Sequence, residues 1–273
     1  MKAKKILFIT QEMVPFVPES PKALMGRYLP QAIQDRKHEI RTFTPKWGII
    51  NERRNQLHEV IRLSGMNLII DETDHPLIVK VASLQAAHMQ IYFIDNDDYF
   101  MKRDMTTDAE GNEYDDNGER AIFYARGVLE TVKKLRWVPD VIHCHGWISA
   151  LAPLYIKKAY KDEPSFCDSK VVFSVSAGDF KNDLGKHSLE CIPFKEAVME
   201  DLTDVCGDKF GYTELAKLAT KFSDGIILED PNVDPSIVEY AKANNIPVLD
   251  YVEGDAFKDA YDAFYETVMG GEE

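Results

Sequence analysis

The feature that most constrains the fold is an alternation along the chain. Short apolar runs rich in β-branched residues, at 5–10, 38–44, 141–144 and 170–175, are separated by longer segments in which apolar residues recur at helical spacing. This alternation is typical of parallel strands connected by helices that cover both faces of a sheet. The sequence therefore predicts a Rossmann-like α/β fold, doubly wound around a mostly parallel sheet.

Residues 53–94 break this alternation. Strand-like runs follow one another there without a long helical segment between them. They lie at 60–63, 67–70, 77–84 and 89–94. Strands connected in this way favour antiparallel pairing, so we expect an antiparallel insertion in the sheet or at its edge. No linker, repeat or low-complexity tract interrupts the sequence, which predicts a single domain over residues 1–273.

The helical segments carry recognisable start signals. Ser20 and Pro21 have the order of an N-cap and a first helical residue, so a helix is predicted from there to about Asp35. Further helices are predicted at 119–136, 149–160, 212–222 and 235–244 and at the end of the chain. Residues 176–207 show no regular pattern.

Charge limits the classes of partner. The chain has 46 acidic and 32 basic residues, a net charge of −14, and 45% hydrophobic residues, which is enough for a buried core. The excess of carboxylates argues against nucleic acid and anionic membranes, because both require clustered lysine and arginine. A neutral partner such as a sugar polymer is compatible with this charge.

The sequence also favours a cytoplasmic location. The apolar run at 6–9 ends at Gln11 and Glu12, so it is too short for a secretory signal, and no apolar window spans a bilayer. The four cysteines have no CxxC spacing and form no dense framework. Reduced thiols are the simplest interpretation.

Residues 139–147 end a predicted strand and enter a helical segment. Ligands of open α/β sheets bind beyond the carboxyl ends of strands, so His145 and Trp147 are candidates for binding a small molecule. A purely structural role for His145 is the alternative. His143 and His145 share one strand face, as a metal pair would, but no third ligand lies near them in the sequence. We expect no metal there.

Two polar segments precede the longest predicted helix. One contains Tyr99, and the other contains Tyr114 and Asn117 and is followed by Arg120. Their side chains can cap a helix, or they can pair donors and acceptors with sugar hydroxyls. The spacing of a calcium-binding EF-hand loop is absent from the sequence, as are glycine-rich nucleotide motifs and the serine elbow of α/β-hydrolases.

Five blocks of sequence carry a resemblance to a known family. They lie at 29–40, 91–100, 114–130, 140–147 and 150–155, and the last two read DVIHCHGW and ALAPLY. Together they resemble the N-terminal, starch-synthase-type domain of bacterial glycogen synthases and plant starch synthases, which are two-domain GT-B glycosyltransferases. The resemblance implies one half of a GT-B fold. It also implies retaining glucosyl transfer from ADP-glucose to an α-1,4-glucan, without a metal or another cofactor.

The resemblance further implies which residues bind the glucan or glycogen partner. Matched positions that combine aromatic rings with hydroxyl-pairing groups are Tyr99, Tyr114, Asn117, Arg120, His145 and Trp147. The resemblance assigns no catalytic residue to this chain.

Several departures from the family pattern fall on its donor site. The family's lysine-x-glycine-glycine loop aligns with residues 18–21, which read PESP, and the aspartate of its histidine-aspartate-tryptophan triplet aligns with Gly146. The histidine and asparagine after its next strand align with Ser176 and Ala177. These changes remove a cation and backbone N–H groups that would face an anion. Lys22 is near enough in sequence to replace the lost lysine, but on a helix it is expected to point elsewhere.

Two hypotheses about function follow. In the first, the chain is a glycogen or starch synthase-like protein, by family a hexosyltransferase of glycogen biosynthesis. In the second, it is a non-catalytic glucan-binding or scaffold protein. The matched region corresponds to the first domain of the family, so the second hypothesis requires a separate partner, either a C-terminal-type domain or another glycogen enzyme.

Overall fold

The computed structural model describes residues 3–207 and 209–270. Its strands are β1 (Lys5–Thr10), β2 (Glu39–Pro45), β3 (His58–Glu59), β4 (Met66–Ile70), β5 (Thr73–Leu84), β6 (Met89–Asp95), β7 (Val141–His145), β8 (Lys170–Val175), β9 (Gly225–Leu228) and β10 (Val248–Leu249). Its helices are α1 (Pro21–Asp35), α2 (Asp97–Phe100), α3 (Asn117–Leu135), α4 (Ala152–Lys157), α5 (Gly185–Cys191), α6 (Glu200–Cys206), α7 (Tyr212–Lys221), α8 (Pro235–Ala243) and α9 (Phe257–Val268).

The strands form one sheet in the order β10-β9-β8-β7-β1-β2-β6-β5-β3, and β4 pairs with β5 beside this path. Neighbouring strands from β10 to β6 are parallel. The chain begins in the middle of the sheet, builds outward through β2 and β6, and then returns to build outward through β7 to β10. The doubly wound α/β fold class is therefore confirmed. The strand order reverses between β1 and β7, where sheets of this kind bind ligands.

The antiparallel insertion is present, because β5 pairs antiparallel with β3, β4 and β6. The prediction of a strand at 60–63 is wrong, because these residues form a turn. Val60 and Gly65 donate their N–H groups to the carbonyls of Val79 and Leu77, so residues 60–65 face only residues 77–79 of β5 and loop outward. The strand predicted at 89–94 exists as β6, but its other edge pairs parallel with β2 and belongs to the main sheet.

Most helices occur where the sequence predicts them. The Ser20 hydroxyl caps α1 by accepting the Ala23 N–H at 2.9 Å. The helix predicted at 149–160 is shorter: a 3-10 turn at Trp147–Ser149 precedes α4, whose first turn contains Pro153. Because proline has no N–H, it cannot continue the hydrogen bonding of the preceding turn. Residues 176–207 contain the short helices α5 and α6.

Alternate residues of the parallel strands are buried on opposite faces of the sheet. Leu7 and Ile9 of β1 belong to the core on the α3 face, whereas Ile6 and Phe8 pack with residues of α1 and α9 on the other. Burial on both faces explains the continuous apolar runs of the sequence. It also fixes the carboxyl ends of β1, β7, β8 and β9 beside one another.

Candidate functional site

A cavity of about 560 Å³ lies at the carboxyl edge of the sheet, beside the reversal of strand order. Its wall is formed by residues that follow β1, β8, β9 and β10, together with the first half of α1 and the start of α9. Its polar and aromatic lining includes Glu12, Lys22, Ser176, Glu229, Asp230 and Tyr251. A concave site of this size with a few convergent polar groups is the usual form of a small-molecule site.

His145 and Glu229 form a close pair behind this cavity. His145 Nε2 lies 2.5 Å from Glu229 Oε2, and His145 Nδ1 lies 3.1 Å from the Thr10 hydroxyl oxygen. Burial raises the pKa of Glu229, but His145 and Lys22 outweigh that effect, so the pKa lies below its ordinary value. Glu229 is therefore an ionised carboxylate at neutral pH.

The carboxylate of Glu229 lacks a well-aligned hydrogen-bond donor. Within the described residues, neither of its oxygens has a hydrogen bond of acceptable geometry, and the same holds for His145 Nε2, although the two groups are in contact. The Glu229 side chain is only 6% exposed. Buried polar atoms are normally paired, so Oε1, which unlike Oε2 has no contact with His145, favours a ligand that supplies a donor.

Lys22 points toward this cavity, contrary to the expectation that it lies elsewhere. It forms a close ion pair with Asp179, and it lines the cavity together with Glu12, Glu229 and Asp230. Burial lowers the pKa of Lys22, although the carboxylates of Glu229, Glu12 and Asp230 oppose this change. Three carboxylates thus surround Lys22, whose charge is already paired with the carboxylate of Asp179.

The start of α1 offers few donors to an anion. The Ser20 hydroxyl takes the Ala23 N–H and lies 2.5 Å from Glu12 Oε1, to which it donates. Pro21, the first helical residue, has no N–H. A phosphate site at a helix N-terminus depends on free N–H groups. Here the Ala23 N–H is bonded to Ser20, Pro21 has no N–H, and the Glu12 carboxylate lies beside this turn.

Gly146, directly after β7, lies against the side chain of Gln11. Its φ is +85°, and a Cβ there would lie 2.4 Å from Gln11 Oε1. The following N–H, from Trp147, donates to both Gln11 Oε1 and Asp179 Oδ2 at 3.1 Å. Side chains from two other loops thus occupy the space beside the residue that aligns with the family's aspartate.

The structure places the six sequence-predicted glucan residues in two separate groups. Tyr99, Tyr114, Asn117 and Arg120 cluster around the start of α3, whereas His145 and Trp147 follow one another at the end of β7. Five of the six are buried, and Tyr114 is half-buried. Arg120 donates to the carbonyls of Tyr99, Asp104 and Met105 and to Asn117 Oδ1, at 2.7–3.0 Å. Their contact with a glucan stays a prediction. In this conformation only Tyr114 exposes a sizeable part of its side chain to solvent.

His143 has a structural environment. Its two ring nitrogens lie 2.7 Å from the Tyr265 and Ser174 hydroxyl oxygens, and the side chain is fully buried. Burial and the neighbouring His145 lower the pKa of His143 to about 3. His143 is therefore neutral at physiological pH and holds β7 against β8 and α9.

Sequence reasoning missed Glu12, Asp179, Glu229 and Asp230. Glu12 follows β1 by two residues, and Glu229 and Asp230 come directly after β9. Acidic residues immediately beyond buried strands are a signal that could have identified them, because those strand ends border the ligand-binding edge of such sheets.

Comparison with known proteins identifies the family. A family model described as the starch synthase catalytic domain matches residues 5–245. The chain therefore belongs to the starch synthase catalytic domain family, within the glycogen and starch synthase type of glycosyltransferase. The catalytic domain of starch synthase IV from Arabidopsis thaliana, bound to ADP and acarbose, has the same fold, with a TM-score of 0.75 at 15% identity over 94% of this chain and 53% of that one.

Curated relatives match part of the chain. The glycogen synthases of Pelodictyon phaeoclathratiforme and Chlorobium luteolum are each 40% identical to it over 172 residues. That alignment covers 63% of this chain and 35% of each relative, so the chain spans about a third of the length of these relatives. None of the described helices is both long and apolar enough to cross a membrane.

Proposed function

We propose that this chain acts in glycogen synthesis, in the transfer of glucose from ADP-glucose to an α-1,4-glucan, and that the cavity at the carboxyl edge of the sheet holds a sugar unit. Family membership supports the reaction class. The observation that carries the placement of the sugar is Glu229, a buried and ionised residue of the cavity lining whose Oε1 has no hydrogen-bond donor among the described residues.

The lining of the cavity suits a neutral sugar. Sugar hydroxyls both donate and accept, and the lining supplies acceptors from Glu12 and Asp230 and a hydroxyl from Ser176. The rings of Tyr28 and Tyr251 are 49% and 43% exposed beside these groups. Aromatic faces next to hydrogen-bonding groups match the alternating apolar and polar surfaces of a glucose unit.

The same lining disfavours the diphosphate of the donor. Three carboxylates repel an anion, and the nearest cation, Lys22, is already paired with Asp179. The capped start of α1 supplies no free N–H cradle. We therefore propose that this cavity binds the sugar, and that groups other than residues 18–21 hold the diphosphate of the donor.

Glu229 also fits the electrostatics of glycosyl transfer. When the bond from the sugar C1 to the diphosphate oxygen breaks, positive charge develops on the ring before the acceptor hydroxyl bonds to C1 and loses its proton. A buried carboxylate stabilises such charge more strongly than one in water does. His145, in contact with Glu229, would hold that carboxylate in position.

Labelled ADP-glucose tests the proposed reaction. The 273-residue chain is incubated with ADP-[¹⁴C]glucose and glycogen, alone and with an extract of the source cells from which this chain has been removed. We expect the chain to raise glycogen labelling, and Glu229→Gln to lower that gain about tenfold or more, a loss of about 1.4 kcal/mol of transition-state stabilisation. Glu239→Gln, which alters an exposed carboxylate, is the matched control.

The outcome is decisive in either direction. If the chain adds no label to glycogen under either condition, the proposed reaction is wrong. If labelling occurs and Glu229→Gln behaves like Glu239→Gln, the reaction stands but the placement of the sugar beside Glu229 is wrong.

A further inference from the structure

A second cluster of reactive side chains lies away from the cavity. Asp71 sits in the turn between β4 and β5, Glu119 in the first turn of α3, and His187 and Cys191 on α5. His187 Nε2 lies 3.4 Å from Asp71 Oδ2, 3.6 Å from Glu119 Oε1 and 3.8 Å from Cys191 Sγ. The ligand atoms of Asp71, His187 and Cys191 all lie within 4.8 Å of one another.

Packing of the backbone explains this convergence. α5 lies against the start of α3 at Gly118, where a Cβ would lie only 2.2 Å from the Ser188 hydroxyl oxygen. This close approach brings His187 beside Glu119. Cys191 follows His187 by four residues, so both side chains lie on the same face of the helix.

Glu119 is held in place from its other side. Its Oε2 accepts a hydrogen bond from the Tyr99 hydroxyl at 2.9 Å, which leaves Oε1 directed toward His187. Asp71 belongs to a tight turn and has a φ of +49°, in the left-handed region. The cluster thus joins a hairpin turn and two helices that are distant in sequence.

The distances from His187 Nε2 to its three neighbours match those around a tetrahedral zinc ion. Zinc bonds of about 2.0–2.3 Å to nitrogen, oxygen and sulfur place neighbouring ligand atoms about 3.3–3.8 Å apart. The three distances from His187 Nε2 lie within this range. A thiolate combined with an imidazole and carboxylates also favours zinc over magnesium or calcium, which prefer oxygen ligands alone.

We propose that Asp71, His187 and Cys191 bind a zinc ion, and that Glu119, which lies beside His187 but outside this group of three, moves closer to complete the coordination. Binding replaces the thiol proton of Cys191 and balances two carboxylates that otherwise face each other across His187. The ion links the β4–β5 turn to α3 and α5. Its role is to fix α5, a short helix within the irregular segment after β8, against the rest of the fold.

Metal titration of the tag-free, reduced chain tests this site. Zinc binding is measured by calorimetry, and cobalt is used as a spectroscopic substitute, because a cobalt–thiolate bond gives an intense near-ultraviolet absorption band. We expect one ion per chain, loss of the thiolate band in Cys191→Ser, and zinc affinity lowered about 100-fold or more in His187→Ala. Cys167→Ser and His58→Ala, which alter exposed residues elsewhere, should bind zinc normally.

Alkylation gives a readout that does not depend on the variants. Zinc should protect Cys191 from iodoacetamide, as measured by peptide mass spectrometry, while exposed Cys167 reacts at the same rate with and without the ion. The alternative is that a protonated His187 simply pairs with Asp71 and Glu119. That alternative predicts no micromolar zinc binding and no protection of Cys191, and either result would overturn the proposal. Zinc binding unchanged in both His187→Ala and Cys191→Ser would do so too.

Discussion

Two regions of this protein bury charged groups in opposite ways. The Arg120 guanidinium is fully buried, and it donates hydrogen bonds to three backbone carbonyls and to the Asn117 side chain. The Glu229 carboxylate is almost as buried, but neither of its oxygens has an aligned donor among the described residues. The chain gives every nitrogen of the first charge a hydrogen-bond acceptor, whereas it gives the second only a contact between His145 Nε2 and Oε2.

This difference separates structural residues from candidate ligand-binding residues. Leaving a buried polar group unpaired costs about 1–3 kcal/mol, and more for a charge. Arg120 avoids that cost because its guanidinium donates hydrogen bonds to residues of α2, of the loop before α3 and of α3 itself. Glu229 offsets that cost only in part, through the contact of Oε2 with His145, and its Oε1 is left for a donor from a ligand. The environment of Arg120 indicates a fixed loop instead.

Removing the satisfied charge should have the largest effect. Arg120→Met leaves three carbonyls and the Asn117 amide oxygen without their donor, so we expect the free energy of unfolding to fall by about 3 kcal/mol or more. Urea denaturation at pH 7 measures it. Arg54→Met, at an exposed position, should change stability by less than about 0.5 kcal/mol. A loss below about 1 kcal/mol for Arg120→Met would contradict the structural role.

Restoring the aspartate that the family resemblance places at position 146 should destabilise the protein. Gly146 has a φ of +85°, and a Cβ there would meet Gln11 Cβ at 2.5 Å. We expect Gly146→Asp to cost about 2–3 kcal/mol, partly from backbone strain and partly from this clash. Adding Gln11→Ala removes the amide oxygen, which a Cβ at position 146 would meet at 2.4 Å, and should recover only that part of the loss, because alanine keeps the Cβ of residue 11. If chemical denaturation gives the single variant the same stability as the parent, the close packing of Gln11 against Gly146 is refuted.

His143 offers a pH test within the same strand end. Its folded pKa of about 3 lies below the unfolded value of about 6.5, so the folded state prefers the neutral ring. The resulting stability is present above pH 6.5 and is lost as the pH falls, by about 2 kcal/mol between pH 7 and 5. We expect urea denaturation of His143→Gln to show a shallower dependence over this interval. His58→Gln, at an exposed site, should follow the parent, and parallel curves for parent and His143→Gln would contradict the assignment.

The sheet could be predicted from sequence because its evidence is local. β1, β7 and β8 are buried on both faces, so each is a short run dominated by apolar, mostly β-branched residues instead of an alternating one. The prediction of a strand at 60–63 is wrong because pairing also depends on the neighbouring strand, which a local sequence pattern does not show. A run forms a strand only if the neighbouring strand has enough residues opposite it. Residues 60–65 lie opposite only residues 77–79 of β5, which are too few to pair with all of them.

The candidate site could be predicted only in outline. The carboxyl edge of the sheet follows from the strand order, but Glu12, Asp179 and Glu229 come from three loops far apart in sequence. The direction of Lys22 depends on Asp179, which no periodicity connects to α1. The prediction that Arg120 contacts a glucan stays open, but the sequence could not show that its guanidinium donates to three backbone carbonyls.

The last prediction compares the two regions directly as glucan sites. Tyr251 lines the cavity and is 43% exposed, whereas the Tyr114 ring is covered by the guanidinium groups of Arg103 and Arg120 at 4.3 and 4.9 Å from its centroid. A sugar can bury new ring area on Tyr251 but little on Tyr114. We expect Tyr251→Ala to weaken maltoheptaose binding about fivefold, equal to about 1 kcal/mol, and Tyr114→Ala to leave it unchanged.

Chemical-shift mapping with maltoheptaose measures both affinities and locates the bound sugar independently of the variants. Shifts around Glu229 and Tyr251 are expected. Shifts confined to the start of α3, together with weaker binding in Tyr114→Ala, would place the glucan on the sequence-predicted surface instead. That result would also mean that the α3 cluster rearranges, because Arg120 can reach a sugar only by giving up hydrogen bonds to Tyr99, Asp104 or Met105. Glucan binding would then stabilise the protein less than its contacts suggest, since part of the interaction energy would be lost in opening the cluster.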